Sequence, residues 1–332
     1  PLAFNISKGN TNEQVTLTPL EQKLLKDFEL SKLVVCTDAG LASTANRKFN
    51  DKKNRAFITT QSIKKLKKPL QQWALSKSGW HIAGTEGTFD ITKLDADDTV
   101  FEVYKNTTFY KERWINENGL EQRLIVTYSL KFRDYQREIR RAQLERATKL
   151  VQKSPQKIGK YNQNDFKRFI SKQSITPDGE IAGKDVYSID ADRILKEEMF
   201  DGYYGICTNL EDDVQSILRI NHQRWEIEES FRIMKTEFQA RPVYLSRDDR
   251  IYAHFTTCFL ALTLYRFLEK ILKERFTCHR IIESLRNMNF YKVKSQGYIP
   301  TYVSDDFTDL LNEKFQLQTD RQIITSQEMK NI

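Results

Sequence analysis

The 332 residues carry 53 Lys and Arg against 45 Asp and Glu, a net charge of +8, and 39% of them are hydrophobic. That much apolar material over that length supplies a core for one large domain or two ordinary ones, and excludes disorder over most of the chain. The positive balance suits a polyanionic partner such as nucleic acid, and the four cysteines, far apart and without a CxxC pair, exclude a disulfide scaffold and a cysteine zinc site.

Residues 1–6 (PLAFNI) read as a strand already under way, followed by the turn signal Gly9-Asn10. Residues 16–30 have helical periodicity, with Thr18 as N-cap and Glu21 completing a capping box. Residues 33–37 (LVVCT) form a continuous apolar run, the pattern of a strand buried on both faces, and it ends in Asp38-Ala39-Gly40. A carboxylate directly off such a strand lies where open α/β sheets build sites, and the glycine allows a sharp turn. The plain alternative is that Asp38 caps a helix beginning near Leu41. A second short strand is expected at 56–60, before the basic run Lys64, Lys65, Lys67 and Lys68.

Residues 71–130 predict a mostly β insertion, with strands at 100–104, 107–114 and 123–130 and a turn at Asn118-Gly119. Its Trp73, Trp80 and Trp114 belong by default to a core or to cross-strand pairs. Residues 132–153 predict a basic helix with Arg133, Arg137, Arg140 and Arg141 on more than one face. The stretch 131–172 holds 13 Lys and Arg against 4 Asp and Glu, a net +9 that accounts for the whole +8 excess of the chain. Residues 157–183 read as a basic, loop-rich connection with a Pro177-Asp178-Gly179 turn, and 203–208 as a strand. Asp185, Asp190, Asp192 and Asp201 are expected to be solvated loop charges.

Residues 214–238 then predict one long helix. Arg224, Glu228 and Lys235, at spacings of four and seven, share one side of it, with Asn221 seven before Glu228 extending the column. Val214, Ile217, Leu218, Trp225 and Phe231 form the apolar stripe that docks it. Such a column is by itself more often a solvated ion-pair ladder than a site. Pro242 breaks the pattern; residues 250–273 predict a long apolar helix, interrupted by Arg266 and read as buried in a core rather than spanning a membrane. A helix at 278–288, a small strand at 298–302 and a helix near Phe307 capped by Asp305 or Asp306 complete the chain. With four His and no His/Cys cluster, any metal is expected on oxygen ligands, which suits magnesium or manganese.

Three motifs in order, VVCTDAGLAS (34–43), TNL (208–210) and RWEIEESFRIMK (224–235), resemble the DDE transposases of bacterial insertion sequences. PLAFNISKGNTNE at the start and RPVYLSRDDRIYAHF (241–255) extend the likeness over nearly the whole chain. The nearest branch closes on Tyr, two residues, Arg, three residues, Glu, six residues, Lys; Arg224, Glu228 and Lys235 satisfy it, and Asn221 stands where it has Tyr. The resemblance implies an α/β, ribonuclease-H-like catalytic core with a β-rich insertion and a C-terminal helical region. It divides the chain into 1–70 (first part of the core), 71–185 (insertion, basic helix and linker), 186–275 (second part, with the Glu helix) and 276–332. It further implies Asp38 and Glu228 as catalytic metal ligands for two Mg²⁺ or Mn²⁺ ions, with Arg224, Lys235 and Asn221 on DNA phosphates. Arg133, Arg137, Arg140 and Arg141 would form a track for double-stranded DNA, both element ends and target. A homodimer on DNA and a bacterial source follow from the same likeness, while the scattered, reduced cysteines point to the cytoplasm and the Arg266-interrupted apolar window to no membrane partner. The family also has a first catalytic Asp upstream of the segment that PLAFNIS resembles, so the chain is expected to be a truncated copy, inactive by itself. The alternative is a catalytically dead DNA-binding remnant that inhibits intact transposase.

Overall fold

The computed structural model describes residues 1–96, 98–153, 158, 164–174, 185–317, 319 and 323–330; the Pro177-Asp178-Gly179 turn lies outside them. In chain order the elements are α1 (Gln14–Asp27), β1 (Leu33–Thr37), α2 (Thr44–Phe49), β2 (Arg55–Thr60), α3 (Lys68–Leu75), β3 (His81–Ile82), α4 (Asp98–Tyr104), β4 (Phe109–Glu117), β5 (Leu120–Tyr128) and α5 (Leu130–Lys153). They continue with β6 (Ile170–Ser174), β7 (Asp185–Ile189), α6 (Ala191–Glu198), β8 (Tyr203–Thr208), α7 (Val214–His222), α8 (Trp225–Thr236), α9 (Asp248–Ile271), α10 (Cys278–Asn287), β9 (Phe290–Val293), β10 (Gly297–Pro300) and α11 (Asp306–Phe315). They fall into two compact units, residues 28–221 and residues 1–27 with 222–332.

Residues 28–221 are built on a mixed six-stranded sheet of order β1-β2-β8-β5-β4-β3. Only β1 and β2 run parallel, Val35 beside Phe57; every later pairing is antiparallel. Side chains alternate across the sheet with the two-residue period of a strand. Ile58, Ile125 and Ile206 pack one face against Val214 and Ile217 of α7. Phe57, Leu124, Val126 and Cys207 pack the other with Trp80, Ala74 of α3 and Leu130 of α5. The expected insertion therefore supplies strands to the same sheet as β1, β2 and β8. Its hairpin turns at Asn118-Gly119, where φ values of 55° and 73° give the left-handed pair that a two-residue turn needs. Residues 98–104 form a helix and not the expected strand. Val100 and Tyr104, four apart, both reach the core, whereas strand alternation would also turn Glu102 inward. β1 is an edge strand with Val34 42% exposed, so it is not buried on both faces. The expected loop at 157–183 holds β6, which pairs antiparallel with β7 and whose Ile170 packs with Phe169 and Ala147.

Residues 1–27 with 222–332 share a core of Ile233 (α8), Leu262 and Tyr265 (α9), Ile281 (α10) and Phe307 and Leu310 (α11). Residues 1–6 form no strand; Phe4 lies on Phe259, ring centroids 4.5 Å apart, and Ile6 accepts from the Tyr252 hydroxyl at 3.5 Å. α1 starts at Gln14, with Asn12 Oδ1 accepting from its amide, so Thr18 is inside the helix and not at its cap. α9 was expected to be buried. Only Cys258, Leu262 and Tyr265 are, while Leu260, Leu264 and Phe267 are 58%, 71% and 67% exposed. By length and composition alone it could cross a membrane. Asp305 does cap α11, in a capping box with Thr308.

The predicted helix over 214–238 is two helices. α7 stops at His222, Gln223 and Arg224 form a turn, and α8 starts at Trp225. α8 ends before Pro242: Phe238 and Ala240 amides return to the Ile233 and Met234 carbonyls around a left-handed Gln239.

Candidate functional site

Asp38 stands exposed at the end of β1. Its Oδ1 accepts from the Gly40 and Leu41 amides at 2.9 and 3.2 Å, an Asx turn that fixes the carboxylate on its own loop. Gly40 leaves room for that approach: a Cβ there would come within 3.1 Å of Oδ1, and the carboxylate would have to shift by a few tenths of an ångström. The helix that follows is capped by Ser43, whose hydroxyl accepts from Asn46 N, so helix capping does not account for Asp38. The loop is anchored from α2. Asn46 Nδ2 donates to Leu41 O at 2.9 Å and Arg47 Nε to Ala42 O at 3.1 Å, while the Arg47 fork reaches Gln61 and Gln122 at 3.0 and 3.1 Å.

Cys36 lies two residues before Asp38 on β1, and the sheet face it shares carries a polar cluster that sequence reasoning missed. The Tyr204 hydroxyl is 2.7 Å from Thr60 Oγ1 and accepts from Asn221 Nδ2 at 3.4 Å, and Cys36 Sγ donates to Asn221 Oδ1 at 3.8 Å. Asn221, expected on a phosphate, thus has both ends of its amide engaged inside residues 28–221. Tyr204 was legible only as a strand position, because its hydroxyl finds its partners through β2 and α7.

In the other unit, Arg224 Nη2 lies 3.8 Å from Glu228 Oε1, and Glu228 is 73% exposed. Lys235, two turns on, is exposed as well. Asn221 does not extend this column, because it belongs to α7. The expected apolar stripe ends with α7 for the same reason: Val214 and Ile217 are buried, Trp225 and Phe231 are 49% and 57% exposed, and Ile233 is the buried residue of α8. Three glutamates crowd this helix, and they are not equivalent. Glu229 is held by Arg266 of α9 at 2.9 Å.

The four arginines expected along α5 separate by burial. Arg133 bonds Asp95 at 2.6 Å, and Arg140 grips Asp201 with both arms at 2.8 and 2.5 Å; both arginines are buried. The Asp201 hydrogen bond holds Arg140 above its ordinary pKa against the cost of burial. These two are ties within the fold, which corrects their place in a DNA track, and Asp201 is a buried counterion and not a solvated charge. Asp190 caps α6 and Asp185 pairs with Lys172 at 2.8 Å. Arg137 and Arg141 are exposed, 56% and 68%, though Arg137 Nε lies 3.7 Å from Asp201 and Arg141 pairs with Glu138 at 2.6 Å; with Arg140, Lys149 and the acids Glu145 and Glu198 they line a groove of about 670 Å³ along α5. Lys64, Lys65, Lys67 and Lys68 are exposed too.

Exposed carboxylates of the Asp38 and Glu228 kind have the donor chemistry that hard divalent ions take. Among the described residues no three His, Cys, Asp or Glu come together at metal-binding spacing. Residues 1–264 match the family model described as a transposase DDE domain. No curated protein matches the chain.

Proposed function

The chain belongs to the DDE transposase family, and on that footing we propose that it is a metal-dependent DNA strand-cleaving and strand-joining enzyme of an insertion sequence whose core is ribonuclease-H-like. Asp38 and Glu228 are the metal-binding carboxylates this chain contributes, and Arg224 and Lys235 hold backbone phosphates, the first as a fork and the second as a point charge. Two Mg²⁺ or Mn²⁺ ions, when bound, supply the activation and charge neutralisation of an in-line displacement at phosphorus. Asp38 brings a carboxylate already oriented by two backbone amides, which lowers the cost of ordering a ligand. Glu228 brings one that is 73% exposed, with Arg224 Nη2 3.8 Å away. The observation that most supports this reading is the mounting of Asp38: an exposed carboxylate at a strand end whose loop is tied to the sheet through Asn46 and Arg47.

Duplex DNA, element end and target alike, would lie along the exposed cations of α5, Arg137, Arg141 and Lys149, and the basic residues 64–68, with phosphate contacts giving affinity rather than sequence reading. A homodimer on DNA in the bacterial cytoplasm completes the proposal.

The test uses the protein expressed from its whole reading frame and an element-end duplex in Mg²⁺. Asp38→Asn and Glu228→Gln keep shape and remove charge, and each is expected to lower cleavage about a hundredfold or more. Parent-like cleavage by either removes that residue from the site. A protein that binds the duplex and never cleaves it fits the inhibitory remnant instead.

A further inference from the structure

Arg266, on α9, reaches three residues of α8 with one guanidinium. Its Nη2 donates to Glu229 Oε2 at 2.9 Å, Ser230 Oγ at 3.2 Å and the Glu226 carbonyl at 3.3 Å. Its Nη1 donates to Glu269 Oε2 at 2.6 Å, and the other Glu269 oxygen accepts from the Tyr265 hydroxyl at 2.8 Å. The side chains of Arg266, Glu229 and Glu269 are only 16%, 22% and 14% exposed. Glu226, Ser230 and Ile233 follow one another at helical spacing, and Ile233 continues the line into the core with Leu262 and Tyr265. One side of α8 is thereby fastened to α9. Arg224, Glu228 and Lys235 lie on the opposite side.

We propose that Arg266 is a positioning residue for Glu228, fixing the rotation of α8 about its own axis so that Glu229 turns inward and Glu228 outward. The inference rests on the reading of Glu228 as a metal ligand. The sequence WEIEES offers three glutamates within four residues, and although spacing puts Glu228 in line with Arg224 and Lys235, it does not say what holds that side outward. A planar fork with several parallel donors holds such an arrangement where an ammonium could not. Loss of the fork leaves two half-buried carboxylates without their shared cation and the Glu228 turn free to rotate.

The experiment uses the protein expressed from its whole reading frame. It reads the Mn²⁺ concentration giving half-maximal strand cleavage, with the melting temperature beside it. Arg266→Gln and Glu229→Gln are expected to raise that concentration about tenfold or more, the effect of removing a group that orients a metal ligand. Arg266→Lys falls between them and the parent. Ile281→Ala, a cavity in the same core that leaves the clamp intact, lowers the melting temperature and keeps the parent metal dependence. A parent-like metal dependence in Arg266→Gln and Glu229→Gln, or an equal shift in Ile281→Ala, overturns the positioning role while Glu228 keeps its assignment, provided Glu228→Gln abolishes cleavage. No metal-dependent cleavage by the parent, or cleavage indifferent to Glu228→Gln, overturns both.

Discussion

Arg137 and Arg140 are three residues apart on α5, and burial gives them different tasks. Arg140→Met takes from Asp201, 6% exposed, its two-armed partner and leaves it Arg137 Nε at 3.7 Å, and is expected to cost about 3 kcal/mol in denaturant unfolding. Arg137→Met with Arg141→Met should leave stability within about 0.5 kcal/mol and lower the slope of log binding constant against log salt by about 2. An unchanged slope moves the DNA track elsewhere. Lys111 is the other informative cation. It is buried, its Nζ bonds Ser76 O and Oγ and lies 4.4 Å from the Trp80 ring, and burial, then the charge of Lys77, lowers its pKa to about 8. A base whose folded pKa lies below its unfolded value releases its proton first in the folded state, so the unfolded chain binds more protons as pH rises. Its penalty is complete below pH 8 and is relieved between about 8 and 10.5. Across that window the parent should gain about 3 kcal/mol relative to Lys111→Met, measured by urea unfolding at each pH. A constant difference between the two would show that Lys111 does not titrate there.

Among the elements, those legible in the sequence carry a local cause. β1, β2 and β8 are continuous apolar runs, and the β4–β5 hairpin carries Asn118-Gly119. Gly119→Val, forced to φ 73°, is expected to cost about 1–2 kcal/mol, and an unchanged melting temperature would refute the turn. The break between α7 and α8 was not legible, because Gln223 and Arg224 include neither Gly nor Pro. α4 was misread because VFEVY is rich in the β-branched and aromatic residues that strands favour, while Val100 and Tyr104 also satisfy a helix. At the site, Asp38 was legible as a carboxylate off an apolar run, and Arg224, Glu228 and Lys235 from their spacing. The polar cluster of Thr60, Tyr204 and Asn221 and the Arg266 clamp were not. Each joins residues whose nearness is made by tertiary packing, and 144 positions separate Thr60 from Tyr204.

At the scale of the whole molecule, two cores divide the chain, and Trp73, Trp80 and Trp114 lie in residues 28–221 while Trp225 alone lies in the other unit. Tryptophan fluorescence therefore reports mainly the sheet unit. Leu124→Ala, a cavity in that sheet expected to cost about 2–5 kcal/mol, should shift the fluorescence midpoint, while Phe307→Ala in the other core should shift only the helical signal. Equal shifts by both probes would mean one cooperative body. The proposed function takes Asp38 and Glu228 as metal ligands, and the most direct measurement of that claim is metal rescue. A thiolate is a soft ligand that Mn²⁺ accepts more readily than Mg²⁺. Strand cleavage by Asp38→Cys and by Glu228→Cys, in the protein expressed from its whole reading frame, should be lost in Mg²⁺ and recovered in Mn²⁺. Parent-like cleavage in Mg²⁺, or no recovery in Mn²⁺ by either variant, would contradict the assignment of these two carboxylates as metal ligands.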